Sequence, residues 1–168
     1  MIGDDGRGAF MARYGHIFEH SPWVVERAFE LGPFQDRDGL HQAMMRVLDD
    51  AREEERIELV RAHPELADKL AIDRGLTRDS ASEQASAGLD HLTEEEHALF
   101  LALNRAYRDR FGFPFVICVR LNDKGSILQA MRRRLEHPPG IELIEALRQI
   151  GLISRLRLDG LPELEGAP

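Results

Sequence analysis

TEEEHALFLALNRAYRDRFGFPFVICV, running from Thr93 to Val119, decides the fold. Thr93 followed three residues later by Glu96 is a capping box, in which each side chain meets the other's backbone N–H. Leu99, Leu103, Ala106, Tyr107 and Phe111 then recur at helical spacing, and Gly112 supplies the stop. Phe113 to Val119 is the one run rich in aromatic and β-branched residues. With no second such run to pair with, it reads as a buried extended segment clamped between helices.

The same helical period runs outward in both directions. Residues 1–8, with three glycines and two aspartates, read as a disordered lead-in. Phe10, Tyr14, Ile17 and Phe18 predict a first helix to about His20. Ser21-Pro22 predicts a restart, with Trp23, Val24, Ala28 and Leu31 following up to Gly32-Pro33. Asp38 is the expected cap of a third helix carrying Leu40, Ala43, Met44, Val47 and Leu48. Glu53-Glu54-Glu55 suits the positive end of a fourth, which should continue through Leu59 and Val60 to His63-Pro64. Ser126 is the expected cap of a helix with Ile127, Met131 and Leu135, and Pro138-Pro139-Gly140 breaks the chain again. A last helix with Ile141, Ile144, Leu147, Ile150 and Ile153 should reach about Leu158, before a frayed tail from Gly160. The expectation is an all-α, single-domain bundle of seven or eight helices over residues 1–168. Its one buried extended segment lies at about 113–119, and its ordered core spans about 9–159.

Composition bounds the function. The chain has 168 residues, 43% hydrophobic and 31% charged, which describes a globular core rather than a disordered chain. No apolar run approaches a membrane span, and the N-terminus lacks the parts of a signal peptide. Cys118 is the lone cysteine, so no intramolecular disulfide can form, and a cytoplasmic protein is expected. Net charge is −8: residues 1–100 hold 11 Lys/Arg against 22 Asp/Glu, and the remainder holds 11 against 8. An acidic total argues against a nucleic-acid partner, while the basic second half suits a small anion.

His63 to Gln84 gathers an imidazole, a carboxylate, a hydroxyl and an amide. At a helix C-terminus, His63 would find its imidazolium favoured by the nearby carbonyls, the poise of a proton donor near neutral pH. It could equally be a histidine that only caps those carbonyls. Ser80-x-x-Glu83 is open to two readings, a capping box or a pair facing a ligand. A helix starting near Ser80 would add free backbone N–H groups. The backbone of Phe115–Val119 needs partners, which a flat amide-like ligand or the protein itself could supply. Of Arg155 and Arg157 only one can face the core, where it would need an anion. Arg132-Arg133-Arg134 reads as a solvated face, as do His91, His97 and His137. His16 and His20 share helical spacing, but no third ligand completes a zinc set.

Four stretches carry a resemblance. They are Ile17-Phe18-Glu19-His20-Ser21-Pro22-Trp23, Arg61-Ala62-His63-Pro64-Glu65-Leu66, Ser80-x-x-Glu83-Gln84-Ala85-x-Ala87-Gly88-Leu89-Asp90 and Phe111-Gly112-Phe113-Pro114-Phe115-Val116-Ile117-Cys118. In this order they resemble the 2-oxo-4-hydroxy-4-carboxy-5-ureidoimidazoline (OHCU) decarboxylases of urate breakdown, from about Phe10 to Leu158. The resemblance implies an all-α, homodimeric enzyme with no metal or organic cofactor, converting OHCU to (S)-allantoin. It implies His63 as catalytic proton donor and Glu83 as the essential carboxylate. Pro64, Ser80, Ala81, Ser82 and Gln84 would be substrate-contacting, together with Phe115, Val116, Ile117, Cys118, Val119 and the C-terminal Arg157. The alternative is a catalytically silent helical module that binds a ligand or dimerises.

Overall fold

The computed structural model describes residues 1–67 and 76–162. The connection through Asp73-Arg74-Gly75 therefore lies outside the described residues, as does the tail beyond Pro162. Eight α-helices are present among the described residues: α1 (Arg7–Tyr14), α2 (Trp23–Phe29), α3 (Arg37–Asp50), α4 (Glu53–Arg61), α5 (Arg78–Ser86), α6 (Glu94–Phe111), α7 (Lys124–Arg134) and α8 (Pro139–Asp159). A 3-10 turn spans Val119–Leu121, and the single extended pairing among them is an isolated bridge between Ile2 and Phe34. The fold is all-α, and it divides into two compact units, Met1–Ala51 with Gly151–Pro168, and Arg52–Ile150.

In the first unit α2 lies against both α1 and α3. The five apolar positions expected of α3 are all buried. Its cap is Asp36 rather than Asp38, because the Asp36 carboxylate accepts the Gly39 N–H at 2.8 Å. The lead-in is ordered: Ile2 and Phe34 exchange backbone hydrogen bonds of 2.8 and 2.9 Å, and α1 starts at Arg7. That helix ends at Tyr14, earlier than its spacing suggested, and Ile17 and Phe18 are buried in the turns beyond it. His16 and His20 thus share no helix face, and no metal-ligating group of three or more is found among the described residues. Beyond α8 the chain is pinned, since Arg37 donates to the carbonyls of Asp159, Leu161 and Pro162 at 2.7–3.0 Å.

The second unit is organised by α6. Its capping box forms as expected, with Glu96 N–H to Thr93 Oγ1 at 3.1 Å and Thr93 N–H to Glu96 Oε2 at 3.0 Å. Its buried line, however, is Phe100, Asn104 and Tyr107, while Leu99 and Leu103 are half-buried and Ala106 exposed. Gly112 ends the helix at φ 75°, a left-handed turn that a side chain disfavours. Phe113 through Cys118 then runs buried and outside any helix or strand, as expected, and Val119, also buried, opens the 3-10 turn instead of ending the extended run. Tyr107 meets Phe113 and Phe115 edge-on, at 6.0 and 5.4 Å between ring centres.

Two registers differ from expectation in this unit. Asp123, not Ser126, caps α7, accepting the Ser126 N–H at 2.7 Å. On α8, Ile141 and Ile144 are exposed whereas Glu142, Ala146, Gln149 and Ile150 are buried. The cause is Arg134. Its side chain is buried rather than solvated with its two neighbours, and it requires Glu142 as counter-ion, which turns the start of α8.

Candidate active site

His63 lies just past α4, whose last residue is Arg61. It is buried, and its Nδ1 sits 3.1 Å from the carbonyl of Leu59, one turn back. A carbonyl can only accept, so Nδ1 carries a proton in either charge state. Proton exchange therefore falls to Nε2.

The backbone around His63 is tied down at Arg61 before it and at Glu65, Leu66 and Ala67 after it. Arg61 Nε donates to the Gly112 carbonyl at 3.0 Å, fixing the end of α4 to the start of the extended segment. Glu65 pairs with Arg108 of α6. Asn104, one turn earlier on α6, donates to the Leu66 carbonyl at 2.8 Å. The Ala67 N–H, in a left-handed residue at φ 58°, donates to Gln84 Oε1 at 3.0 Å. An imidazole on so constrained a backbone has little freedom to wander, which is what a directed proton transfer needs.

Glu83 and Ser80 come from α5, which starts two residues before Ser80. Thr77 is its cap and accepts the Ser80 N–H at 3.3 Å, so Ser80 neither caps the helix nor forms a capping box with Glu83. Three residues apart on a helix, Ser80 and Glu83 share a face, and both are buried. Ala81 and Ser82, expected as substrate contacts, are exposed beside them, and the Ala81 N–H is taken by the Thr77 carbonyl.

The extended segment is the third part. Helix α5 lies against the turn Val119–Leu121, and the Glu83 carboxylate is near enough to influence the Cys118 thiol. Burial pushes that thiol above its usual range and Glu83 acts in the same direction, so Cys118 stays protonated and inert. Several backbone groups of the segment already have protein partners. Gln149 accepts the Cys118 N–H at 2.9 Å, Asn122 donates to the Cys118 carbonyl at 2.9 Å, and Arg134 donates to the Val116 carbonyl at 2.7 Å. Phe115, Val116, Ile117 and Val119 are buried with it, and Pro64 is half-buried.

Arg157 belongs to the other unit. It is buried, pairs with Glu19 at 3.0 Å and donates to the Ile17 carbonyl at 3.2 Å. Arg155 is the surface partner, bridging Asp38 and Asp159. The anion that a buried arginine demands is thus Glu19, 2% exposed, which the sequence reading left without a role. Asn104, Arg134 and Glu142 were missed as well. For Asn104 a signal existed, because Phe100, Asn104, Tyr107 and Phe111 fall on one 3.6-residue stripe.

The chain is similar to known proteins over most of its length. A family model described as OHCU decarboxylase matches residues 6–159. The OHCU decarboxylase of Haloferax volcanii is 43% identical over 150 residues, covering 89% of this chain and 87% of that one. That of Halalkalicoccus jeotgali is 41% identical over 152 residues, covering 90% and 84%. A crystal structure of (S)-allantoin synthase superposes with TM-score 0.69 at 29% identity; the match covers 92% of this chain and spans half of that one. The chain belongs to the OHCU decarboxylase family.

Proposed function

We propose that the protein decarboxylates OHCU to (S)-allantoin, without a metal or organic cofactor, in the breakdown of urate. The observation that carries this reading is the burial of His63 and Glu83 within one unit, on two segments joined through Gln84 and Ala67. Loss of CO₂ from a carbon beside a C=N bond leaves a carbanion that delocalises into that bond. The protein then needs to supply orientation, charge placement and one directed proton.

In this reading His63 and Glu83 hold the substrate hydroxyl and ring nitrogens. His63 delivers the proton from Nε2 to one face of the carbanion and so sets the S configuration, while Nδ1–H stays on the Leu59 carbonyl. Ser80, Gln84, Pro64 and the Phe115–Val119 segment hold the ring and ureido amides. Arg157 serves as the anchor of Glu19 and the Ile17 carbonyl rather than as a group committed to the departing carboxylate. The family match running across residues 6–159 supports one catalytic domain. Homodimerisation and a cytoplasmic location belong to the same proposal; no helix among the described residues is long and apolar enough to cross a membrane.

The test generates OHCU in place, from urate with urate oxidase and hydroxyisourate hydrolase, and follows its disappearance. The protein should accelerate the decay, and His63→Ala and Glu83→Ala should each return it to the uncatalysed rate with helical content intact. Substrate binding without acceleration by the unaltered protein would mark a silent module and overturn the proposal.

A further inference from the structure

Arg134 holds two groups and covers a third. Its Nε donates to Glu142 Oε1 at 2.6 Å, its Nη1 donates to the Val116 carbonyl at 2.7 Å, and its guanidinium lies 4.3 Å from the centre of the Phe115 ring. Arg134 is 2% exposed and Glu142 is fully buried. Glu142 is held in turn by the Tyr107 hydroxyl and by His137 Nδ1 at 2.9 Å, so three side chains converge on its carboxylate, and one of them, Arg134, also holds the Val116 carbonyl. Burial raises the Tyr107 phenol far above its ordinary range, which keeps it the donor.

Stability alone is a weak reason for such a pair, since a buried ion pair is often no better than apolar residues of the same volume. Its geometric effect is specific. The Phe115–Val119 segment has no strand beside it among the described residues, so its placement must come from side chains. The planar guanidinium fixes two things at once: the height of the Val116 carbonyl, through a hydrogen bond, and the tilt of the Phe115 ring, through face contact. A point-like ammonium can do one or the other.

We infer that Arg134, braced by Glu142, is a positioning residue for the reaction, setting the Phe115–Val119 backbone in the register that the substrate's ring and ureido amides require. This rests on the proposal above that the segment contacts substrate. The contacts lie away from the bond that breaks, so they should act on substrate and transition state alike. Loss of register should then raise KM and leave kcat nearly unchanged.

The experiment measures kcat, KM and the Kd of (S)-allantoin for the full chain and for Arg134→Lys, well below the melting transition of either. Arg134→Lys keeps a cation against Glu142 but loses the fork. KM and Kd should each rise about tenfold, equivalent to ~1.4 kcal/mol, with kcat within a factor of about two. A lowered melting temperature with KM and Kd unchanged would make Arg134 purely structural and overturn the inference. Should Arg134→Lys fail to fold, Glu142→Gln decides: it keeps an acceptor for Arg134 and Tyr107 while weakening the brace, and KM should rise several-fold, an unchanged KM again being fatal. An unaltered protein that neither turns over OHCU nor binds allantoin would overturn the underlying proposal, and this inference with it.

Discussion

Replacing Arg134 by Met is the sharpest stability test, because it strands a carboxylate. Glu142 has no solvent exposure, and its Oε1 receives both Arg134 Nε and the Tyr107 hydroxyl. Methionine fills much of the volume, so the loss is electrostatic rather than a cavity. Removing one partner of a buried pair costs about 3–5 kcal/mol. For a chain of this size each kcal/mol moves Tm by roughly 2–4 °C, giving a fall of about 6–20 °C. Urea unfolding followed by far-UV circular dichroism reads the same quantity as a lowered midpoint at constant slope. The double variant Arg134→Met/Glu142→Gln removes the stranded charge and keeps an acceptor for Tyr107. It should recover about 2 kcal/mol of the loss, leaving about 1–3 kcal/mol for the unpartnered Val116 carbonyl. A single-variant loss below ~1 kcal/mol, the size of a solvated surface pair, would mean that the Glu142 carboxylate is not stranded by the substitution.

Other outcomes follow from individual contacts. Burial holds His41 below its ordinary 6.5, with Nε2 at 3.1 Å from both the Gly151 carbonyl and Ser154 Oγ. The unfolded chain therefore binds more protons between the two values, so this stability is complete above pH 6.5 and is lost as pH falls through the folded value. His41→Gln should flatten the decline of the urea midpoint in that window. Asn104→Leu leaves the Leu66 carbonyl without its donor and should cost ~1–3 kcal/mol in urea unfolding. It should also slow OHCU turnover by freeing the stretch beside His63. Thr93→Ala removes one arm of the α6 capping box and should cost about 1 kcal/mol, with turnover unchanged.

What could be read in advance follows from how local each feature is. The α6 capping box and the five core positions of α3 depend on residues within a turn or two, and both stand as expected. The unpaired extended segment was legible because no second strand-like run exists. Misplaced caps at Asp38 and Ser126 were errors of two and three residues, each beside an aspartate that has the better reach. Arg134 and the start of α8 were illegible for a different reason. Nothing in Arg132-Arg133-Arg134 says which of three cations turns inward; that is settled by Glu142 and by the Val116 carbonyl. The same holds for Arg157 and Glu19, which are distant in sequence and buried together. At the candidate site the residue types were legible from motifs. Thr77 displacing Ser80 as cap, which lets Ser80 and Glu83 share a buried face, was not.

In the proposed reaction His63 gives one proton to one face of a carbanion held by this protein. Circular dichroism of the allantoin formed from freshly generated OHCU measures that directly. A strong signal of the S enantiomer is expected, growing with protein concentration and absent with His63→Ala and with Glu83→Ala. Racemic allantoin accumulating at the uncatalysed rate in the presence of the unaltered protein would contradict it.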